Sequence, residues 1–352
     1  MKMFERPTVF IIGAGASKEI NLPLGSELTK RISSSLNFNS NSFDHLTSGD
    51  KCIFQAAEIK QNLDKSNRIH PYLEAGRKIS QGMIQAISID NFLHAHADDP
   101  KIVWMGKLAI AQCILKAERS SHLSAQGSQQ PLTELSKVED TWLYVFFNML
   151  HEEIKKTSLE KIFENISIVT FNYDRAIEHF LKISLVNYYN IKMSDAVHLV
   201  SQLRIEHPYG QVGHLPWQSN ENSVEYGKEV DGALLHNIAS QIRTFTEREN
   251  DEMIVRTREL IKRAEVVVFL GFSYGRMNMD LISVKPANAS EVYGTSFGIS
   301  DPNKSVIHDD ILRSLRNSNS PLRKINLANL TCKQFLKDYR EPILRGVRRK
   351  RT

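Results

Sequence analysis

The stretch TVFIIGAGAS at residues 8–17 decides the fold of this chain. Residues 8–12 are β-branched or aromatic, which is typical of a short buried strand in a parallel sheet. Glycines follow at once, and glycines at a strand-to-helix turn let the backbone approach a pyrophosphate while the next helix offers free N–H groups. A tight turn without a ligand is the alternative interpretation. The candidate nucleotide-binding turn consists of Gly13, Ala14, Gly15 and Ser17.

Further apolar runs alternate with helical patterns along the rest of the chain. Strands are predicted at residues 166–171, 198–205, 265–270 and 291–299. Helical spacing of apolar residues lies between these runs, for example at 249–263. Strands that alternate with helices form βαβ units and a parallel sheet. The predicted fold class is therefore α/β, with a Rossmann-like doubly wound parallel sheet.

The strand pattern is interrupted by a long helical stretch, and this interruption suggests the domain organisation. Residues 51–119 have mostly helical spacing, clearest at 102–118, whereas 37–50 and 120–134 are polar, and a loop is expected at 37–50. Residues 38–159 together are expected to form an inserted helical subdomain. Residues 1–37 and 160–340 then form the nucleotide-binding domain. Residues 341–352 are predicted to be a basic C-terminal tail.

The composition and charge exclude several classes of protein. Of the 352 residues, 41% are apolar and 24% are charged, which is ordinary globular usage rather than that of a disordered, collagen-like or coiled-coil protein. The net charge of +5 comes from five basic residues in 342–352, and the remainder of the chain has equal numbers of acidic and basic residues. A broad nucleic-acid-binding face is therefore not expected, and only the tail is a candidate for contact with nucleic acid.

The cysteines and the N-terminus indicate the compartment. Cys52, Cys113 and Cys332 are far apart and form no CxxC pair, so no local zinc signature is present. A sparse, odd number of cysteines suits a reducing compartment. The apolar segment 9–12 is shorter than the roughly 7–15 residues of a secretory signal, and no run approaches the roughly 18 apolar residues of a membrane span. We expect a cytoplasmic protein without a metal site.

Polar residues follow three of the later predicted strands, where ligands of open α/β sheets bind. Asn172 and Asp174 end the second strand and can face a pocket, although both residue types are also preferred helix N-caps. His207 follows the third predicted strand and is a candidate general base, with a structural histidine as the alternative. Gly271 and Ser273 close the strand at 265–270 and repeat the glycine and hydroxyl chemistry of the first turn.

These four motifs, in this order, resemble those of the sirtuin-like superfamily. The matched positions are Gly13, Ala14, Gly15, Ser17 and Pro23, then Thr170, Asn172 and Asp174, then His207 and Gly210, and last Gly271 and Ser273. The chain is more similar still to bacterial sirtuin-like proteins of antiphage defence, through SIDNFL at 88–93, GKLAIA at 106–111 and Glu118. This likeness extends the resemblance into the helical insertion.

Two departures separate the chain from the sirtuins that remove acyl groups from lysine. Those proteins have four zinc-binding cysteines, which three scattered cysteines cannot supply. They also have an aspartate-phenylalanine-arginine stretch after the proline, where this chain has Leu24, Gly25 and Ser26. The resemblance therefore implies the activity of the defence group, a zinc-independent hydrolysis of NAD at the nicotinamide–ribose bond that depletes NAD during abortive infection.

The resemblance also implies a role for each site residue. Asn172 would orient the attacking water or the ribose hydroxyls, His207 would accept a proton, and Asp174 would bind the nicotinamide carboxamide. The residues expected to line the phosphates and the adenosine ribose are Gly13, Ala14, Gly15, Ser17, Gly271 and Ser273. It further implies a homo-oligomer and, in some systems, a HerA-like ring ATPase as partner. A catalytically silent NAD or ADP-ribose sensor and an ADP-ribosyltransferase are the alternative functions.

Overall fold

A computed structural model describes residues 4–42, 45–65, 68–124, 134–248, 252–315 and 322–346. Its main feature in these ranges is a six-stranded, wholly parallel sheet, which confirms the predicted Rossmann-like α/β class. The strands are β1 (Thr8–Ile12), β4 (Ile166–Thr170), β5 (Arg204–Glu206), β6 (Val266–Leu270), β7 (Glu291–Thr295) and β8 (Lys324–Ala328). A separate antiparallel hairpin contains β2 (Asn39–Ser42) and β3 (His45–Ser48).

The strand order creates a crevice beside β1. In the sheet the strands run β5-β4-β1-β6-β7-β8, so the chain moves outward from β1 in one direction and then returns to continue in the other. Ile12 pairs with both Thr170 and Leu270, and the three central strands therefore end at the same level. Ligands of such sheets bind outside the carboxyl ends of the strands at this reversal of order. The predicted polar motifs follow these strand ends.

Helices cover both faces of the sheet. Their bounds are α1 (Ala14–Ser17), α2 (Gly25–Ser35), α3 (Lys51–Leu63), α4 (His70–Gly82), α5 (Ile89–Ala95), α6 (Pro100–Arg119), α7 (Trp142–His151), α8 (Ala176–Tyr189), α9 (Met193–Gln202), α10 (Gly232–Ala239), α11 (Glu252–Arg263), α12 (Arg276–Ile282), α13 (Asp301–Ser314), α14 (Cys332–Asp338) and α15 (Arg340–Arg345).

The alternation of side chains along β1 divides the core into two layers. Val9 and Ile11 point to one face and pack in a cluster with α2 to α6, α10 and α11. Phe10 and Ile12 point to the other face, where α7, α8 and α14 cover them. The ring of Phe10 meets the edge of Phe146 at a centroid distance of 5.0 Å. A strand that is buried on both faces needs apolar residues at every position, and β1 has them.

The segment predicted as a helical insertion contributes to both layers. Its longest helix, α6, begins at Pro100, where the carboxylate of Asp99 accepts hydrogen bonds from the next free backbone N–H groups. Helices α3 to α6 pack on the Val9 face and share that face's core, whereas α7 lies on the opposite face. The hairpin of β2 and β3 stands where a polar loop was predicted at residues 37–50.

Three sequence predictions need correction. The strand predicted at 198–205 is wrong over most of its length, because 193–202 form α9 and only 204–206 form β5. Strand β8 was not predicted. The basic tail begins later than expected, since α15 extends to Arg345 and buries Ile343 and Leu344. Residues 347–352, which carry most of the tail's charge, lie outside the described residues.

Within the described ranges, no helix combines the length and the apolar character that crossing a membrane requires.

Candidate active site

The turns after β1 and β6 press against each other at the centre of the sheet edge. The backbone N–H of Gly15 donates to the carbonyl of Gly271 at 2.9 Å. A Cβ atom would lie 2.7 Å from the Gly271 oxygen if added at Gly13, and 2.8 Å from the Gly271 Cα if added at Gly15. Gly271 itself has φ +57°, a left-handed conformation that favours glycine. This close approach requires glycine at all three predicted positions.

The turn after β6 is held in a conformation that is unusual for a side-chain-bearing residue. Tyr274 has φ +56°, and its buried hydroxyl donates to the carbonyl of Thr295 at 3.0 Å. The hydroxyl of Thr295 in turn accepts a hydrogen bond from the Gly271 N–H at 2.8 Å. Ser273 lies between these fixed points and is exposed. Such strained backbone conformations cluster at functional sites. The hydrogen bonds of Gly271 and Tyr274 therefore fix the backbone on both sides of Ser273, whose side chain faces solvent.

Asn172 connects the turn after β4 to the turn after β1. Its side-chain Nδ2 donates to the Ser17 hydroxyl at 2.7 Å and to the Gly13 carbonyl at 3.3 Å. The Ser17 hydroxyl in turn donates a hydrogen bond to Oδ2 of Asp174 at 3.0 Å. Asn172 is only 8% exposed. Two of the predicted motifs therefore form one buried polar network, and in the described part of the chain the Oδ1 atom of Asn172 is left without a donor.

Asp174 has both a capping and a network role. Its Oδ1 accepts a hydrogen bond from the Ala176 N–H at 3.1 Å, at the start of α8, as the N-cap alternative predicts. Burial, together with the nearby negative charge of Glu118, raises the pKa of Asp174 to about 6. With Ser17 on the other oxygen, both carboxylate oxygens are engaged. Each oxygen has a second lone pair, which is the acceptor that remains for a carboxamide ligand.

His207 is adjacent to Asn172, so the amide and the imidazole lie on the same side of the molecule. Its Nδ1 donates to the backbone carbonyl of Asn172 at 3.2 Å, and its Nε2 lies 3.0 Å from Oε1 of Glu178. Burial favours the neutral form, but the Glu178 carboxylate outweighs burial and raises the pKa of His207 above its ordinary value. In the charged form both ring nitrogens donate, and only the neutral form of His207 can accept a proton.

Glu178 was missed by the sequence analysis. It lies four residues after Asp174 on α8, and its pKa is lowered because the charge and hydrogen bond of His207 outweigh the effect of burial. A carboxylate that holds a histidine fixes the tautomer and orientation of the imidazole. The position of Glu178 one helical turn after Asp174 was the available signal, but a glutamate in a helix is too common to single out.

A buried ion pair stabilises the turn between β4 and α8. Arg175 and Glu118 are both fully buried, and Nε of Arg175 donates to Oε1 of Glu118 at 3.1 Å. The same carboxylate oxygen accepts from the Arg175 backbone N–H at 3.0 Å, and Nη1 donates to the carbonyl of Val224 at 2.6 Å. Arg175 therefore joins the end of α6, the start of α8 and the 214–224 loop. The sequence analysis noted Glu118 but not its partner.

A cleft of about 730 Å³ opens beside His207. Glu178, Gln211, His214 and Trp217 line it together with His207, and the glycine turns after β1 and β6 do not. The four predicted segments thus converge at one edge of the sheet, but the cleft lies on the β5 side of that convergence. Among the described residues, no group of three or more histidine, cysteine, aspartate or glutamate side chains is arranged to hold a metal ion.

The comparisons with known proteins leave the family of this chain open. No protein family model matches the sequence, and no match was found among curated proteins.

Proposed function

We propose that this protein hydrolyses NAD at the bond between nicotinamide and ribose, as its resemblance to the sirtuin-like defence group implies. One observation carries the proposal. Asn172 joins the glycine turn through Ser17 and Gly13 and joins His207 through its backbone carbonyl. Residue 172 therefore connects the glycine turn to the imidazole at the carboxyl ends of the strands, where dinucleotides bind in this topology.

The proposed reaction needs little acid catalysis. Water attacks C1′ of the nicotinamide ribose, and the C1′–N1 bond breaks with its electron pair moving to the pyridinium nitrogen. Nicotinamide leaves as a neutral molecule, ADP-ribose forms, and one proton is released. Because the leaving group is already cationic, the protein has to position the ribose and the water and to accept the proton.

The side chains divide these tasks between them. Oδ1 of Asn172 is the acceptor available for a ribose hydroxyl or for the attacking water, because its Nδ2 is already bound to Ser17 and Gly13. His207 accepts the proton once it is neutral, and Glu178 holds the ring in place. A positioned base contributes about 10²–10⁴ in rate. The half-exposed Gly15 and Gly271 and the exposed Ser273 are the proposed contacts of the phosphates and the adenosine ribose.

The decisive experiment is to follow nicotinamide release from NAD by chromatography. Asn172→Ala is expected to lower the turnover by at least about 10²-fold, because the reacting groups lose their orientation. The matched control is Asn326→Ala on β8, an asparagine at the far end of the sheet order, which is expected to retain full turnover. Thermal melts of both variants check that the chain still folds. Full nicotinamide release by Asn172→Ala would falsify the proposed assignment.

A second candidate is an NAD or ADP-ribose sensor without turnover. The observation that favours it is that both ring nitrogens of His207 already hold hydrogen-bond partners, so no free base faces a substrate. Binding of NAD in calorimetry without any nicotinamide release, at several pH values, supports the sensor. Release of nicotinamide by the parent protein excludes it.

We further propose that the protein acts in the cytoplasm, in antiphage defence, as a homo-oligomer restrained by a partner such as a HerA-like ring ATPase. Two contacts connect the defence-like segments to the site: the hydroxyl of Tyr173 donates to Asp90 of the 88–93 segment, and Glu118 holds Arg175. An enzyme that consumes NAD has to be restrained in its own cell.

Control by assembly predicts that the specific activity of the purified protein rises with protein concentration. Multi-angle light scattering alongside the chromatographic assay measures both quantities. A monomer whose activity per molecule is high and independent of concentration contradicts control by assembly.

A further inference from the structure

A short helix lies across the edge of the sheet at which the proposed site stands. Helix α5 contacts the turn after β4, because the hydroxyl of Tyr173 donates to the Asp90 carboxylate. It also contacts the helix after β6, since Nδ2 of Asn91 donates to Sδ of Met277 at 3.4 Å. Strand β1 lies between β4 and β6 in the sheet. Helix α5 therefore crosses above the carboxyl end of β1, where the order of the strands reverses.

An aromatic cluster joins the same strand ends and packs in one core with the buried residues of α5. Phe171 follows β4, and its ring centroid lies 5.7 Å from that of Tyr209 after β5 and 5.1 Å from that of Phe272 after β6. All three rings are buried. The proposed dinucleotide has to reach Asn172 beside them, and Asn172 is only 8% exposed. On this face of the sheet, movement of α5 is the direct way to open the crevice.

The attachment of α5 to the rest of the protein is small. Only two of its seven residues, Ile89 and Leu93, are buried. The loop before it is exposed, with Ile84 at 83% and Ile87 at 86%. Short segments with few buried apolar residues open locally at a lower free energy than the whole domain. Helix α5 therefore has the properties of a unit that opens while the sheet stays folded.

Glycines form the surface on which α5 packs. A Cβ at Gly106 of α6 would lie 2.5 Å from Cδ2 of Leu93, and a Cβ at Gly82 of α4 would lie 2.3 Å from Cε2 of Phe92. The side chains of α5 therefore occupy space that any larger residue at these two positions would need. A methyl group at residue 106 displaces Leu93 without changing any residue at the strand ends.

We infer that α5 is a lid over the crevice above β1. It is closed when Tyr173 donates to Asp90 and Leu93 packs on Gly106, and it opens by local unfolding to admit a ligand. The inference rests on the proposed function for the identity of that ligand, a dinucleotide. The opening of the helix is a property of the chain alone, so it is measured without any ligand.

Hydrogen exchange of the full-length protein tests the opening. In the parent protein the amides of α5 are expected to exchange with little dependence on low urea, whereas those of α6 follow global unfolding. Asp90→Ala removes a charged acceptor and Gly106→Ala displaces a packed side chain, so each is expected to raise the exchange rate of the α5 amides by about tenfold. Exchange of α5 with the urea dependence of α6 overturns the inference.

Gly25→Ala at the start of α2 is the matched control. A Cβ there meets no atom within 4 Å, so the exchange of α5 is expected to match that of the parent protein. Continued protection of α6 in all variants shows that the chain still folds. Exchange rates of α5 that stay unchanged in both Asp90→Ala and Gly106→Ala contradict the proposed closed state.

Association of ADP-ribose tests whether the lid controls access, since this product of the proposed reaction is not consumed. In surface plasmon resonance, the association rate constant is expected to rise about tenfold in Asp90→Ala and Gly106→Ala, because the open fraction rises by that factor. An unchanged rate constant in variants whose α5 exchanges faster overturns the lid. Absence of ADP-ribose binding in every protein contradicts the dinucleotide site instead, and hydrogen exchange then decides whether α5 opens.

Discussion

The carboxylate of Glu178 determines the form in which His207 is present. Two charged partners stabilise each other here, since the pKa of His207 is raised and that of Glu178 is lowered. The histidine's contribution to stability is complete below its ordinary pKa and is lost as the pH rises through the raised value. The glutamate's contribution is complete above its ordinary pKa and is lost as the pH falls through the lowered value. The pair is therefore strongest in mildly acidic solution.

The role of base that we propose for His207 requires the opposite condition, because only the neutral imidazole accepts a proton. In the proposed hydrolysis, kcat/KM therefore rises with pH through the raised pKa of His207. In Glu178→Gln the negative charge of residue 178 is absent, so burial, the largest influence on the ring, is opposed only by the smaller effects of the Asn172 carbonyl and the Asp174 carboxylate, and the pKa of His207 falls. The acid limb of the pH profile is expected to move to lower pH in this variant.

The control for this prediction is Glu225→Gln, an exposed glutamate whose ion pair with Lys228 is on the surface. Its profile of kcat/KM against pH is expected to match that of the parent protein. An acid limb that stays in place in Glu178→Gln would show that His207 is not the group that controls turnover.

At the scale of single elements, the turn after β6 depends on the absence of a side chain. A Cβ at Gly271 would lie 2.0 Å from the Ala16 nitrogen, and the residue has a left-handed backbone. Gly271→Ala is expected to lower the free energy of unfolding by at least about 2 kcal/mol, since the left-handed conformation alone costs about 1–2 kcal/mol and the clash adds to it. Urea denaturation measures this change.

Gly275→Ala is the matched control in the same turn. A Cβ there meets only the Ser273 hydroxyl, at an ordinary distance of 3.7 Å, and φ is −60°. Stability is expected to stay within about 0.5 kcal/mol of the parent value. Equal effects of the two substitutions would contradict the close approach of the two turns.

The elements that sequence reasoning located correctly are those with a strong local signal. The apolar runs of β1, β4 and β6 are buried on both faces, and each ends where glycine or polar residues begin. The strand predicted at 198–205 failed because Ala196, Leu199 and Val200 have helical spacing that the apolar run obscured. Strand β8 is half-buried at every position, so the alternation of buried and exposed residue types that would predict a strand is weak there.

In the candidate site, the polar residues at the strand ends could be predicted from the sequence. The residues that form hydrogen bonds and ion pairs with them could not. Asn172 and His207 stand at strand ends, which is a local property. Glu178 and Arg175 gain their importance from contacts that only the folded chain makes. The 118–175 pairing spans two separate helices, and no periodicity or composition reveals it.

At the scale of the whole molecule, the Arg175–Glu118 pair joins the helical segment to the sheet. Arg175→Met leaves the Glu118 carboxylate buried without a counter-charge, and such a change costs about 3–5 kcal/mol. Urea denaturation is expected to show this loss in the free energy of unfolding. The double variant Arg175→Met with Glu118→Leu is expected to recover part of it, because no buried charge remains.

A surface pair provides the comparison. Arg340 pairs with Glu152, whose side chain is half-exposed, so Arg340→Met is expected to cost no more than about 1 kcal/mol. A loss at Arg175→Met as small as that at Arg340→Met would contradict the structural role of the buried pair.

The contact between the turns at residues 13–15 and 271 has a consequence for biosynthesis. A ribosome adds about 5–20 residues per second, and the N-terminal turn emerges long before its counterpart. Until Gly271 has left the exit tunnel, the carbonyl that accepts the hydrogen bond of the Gly15 N–H is not in place. In a nascent chain the turn after β1 therefore lacks its partner turn, and translation delays the moment at which the proposed dinucleotide site is complete.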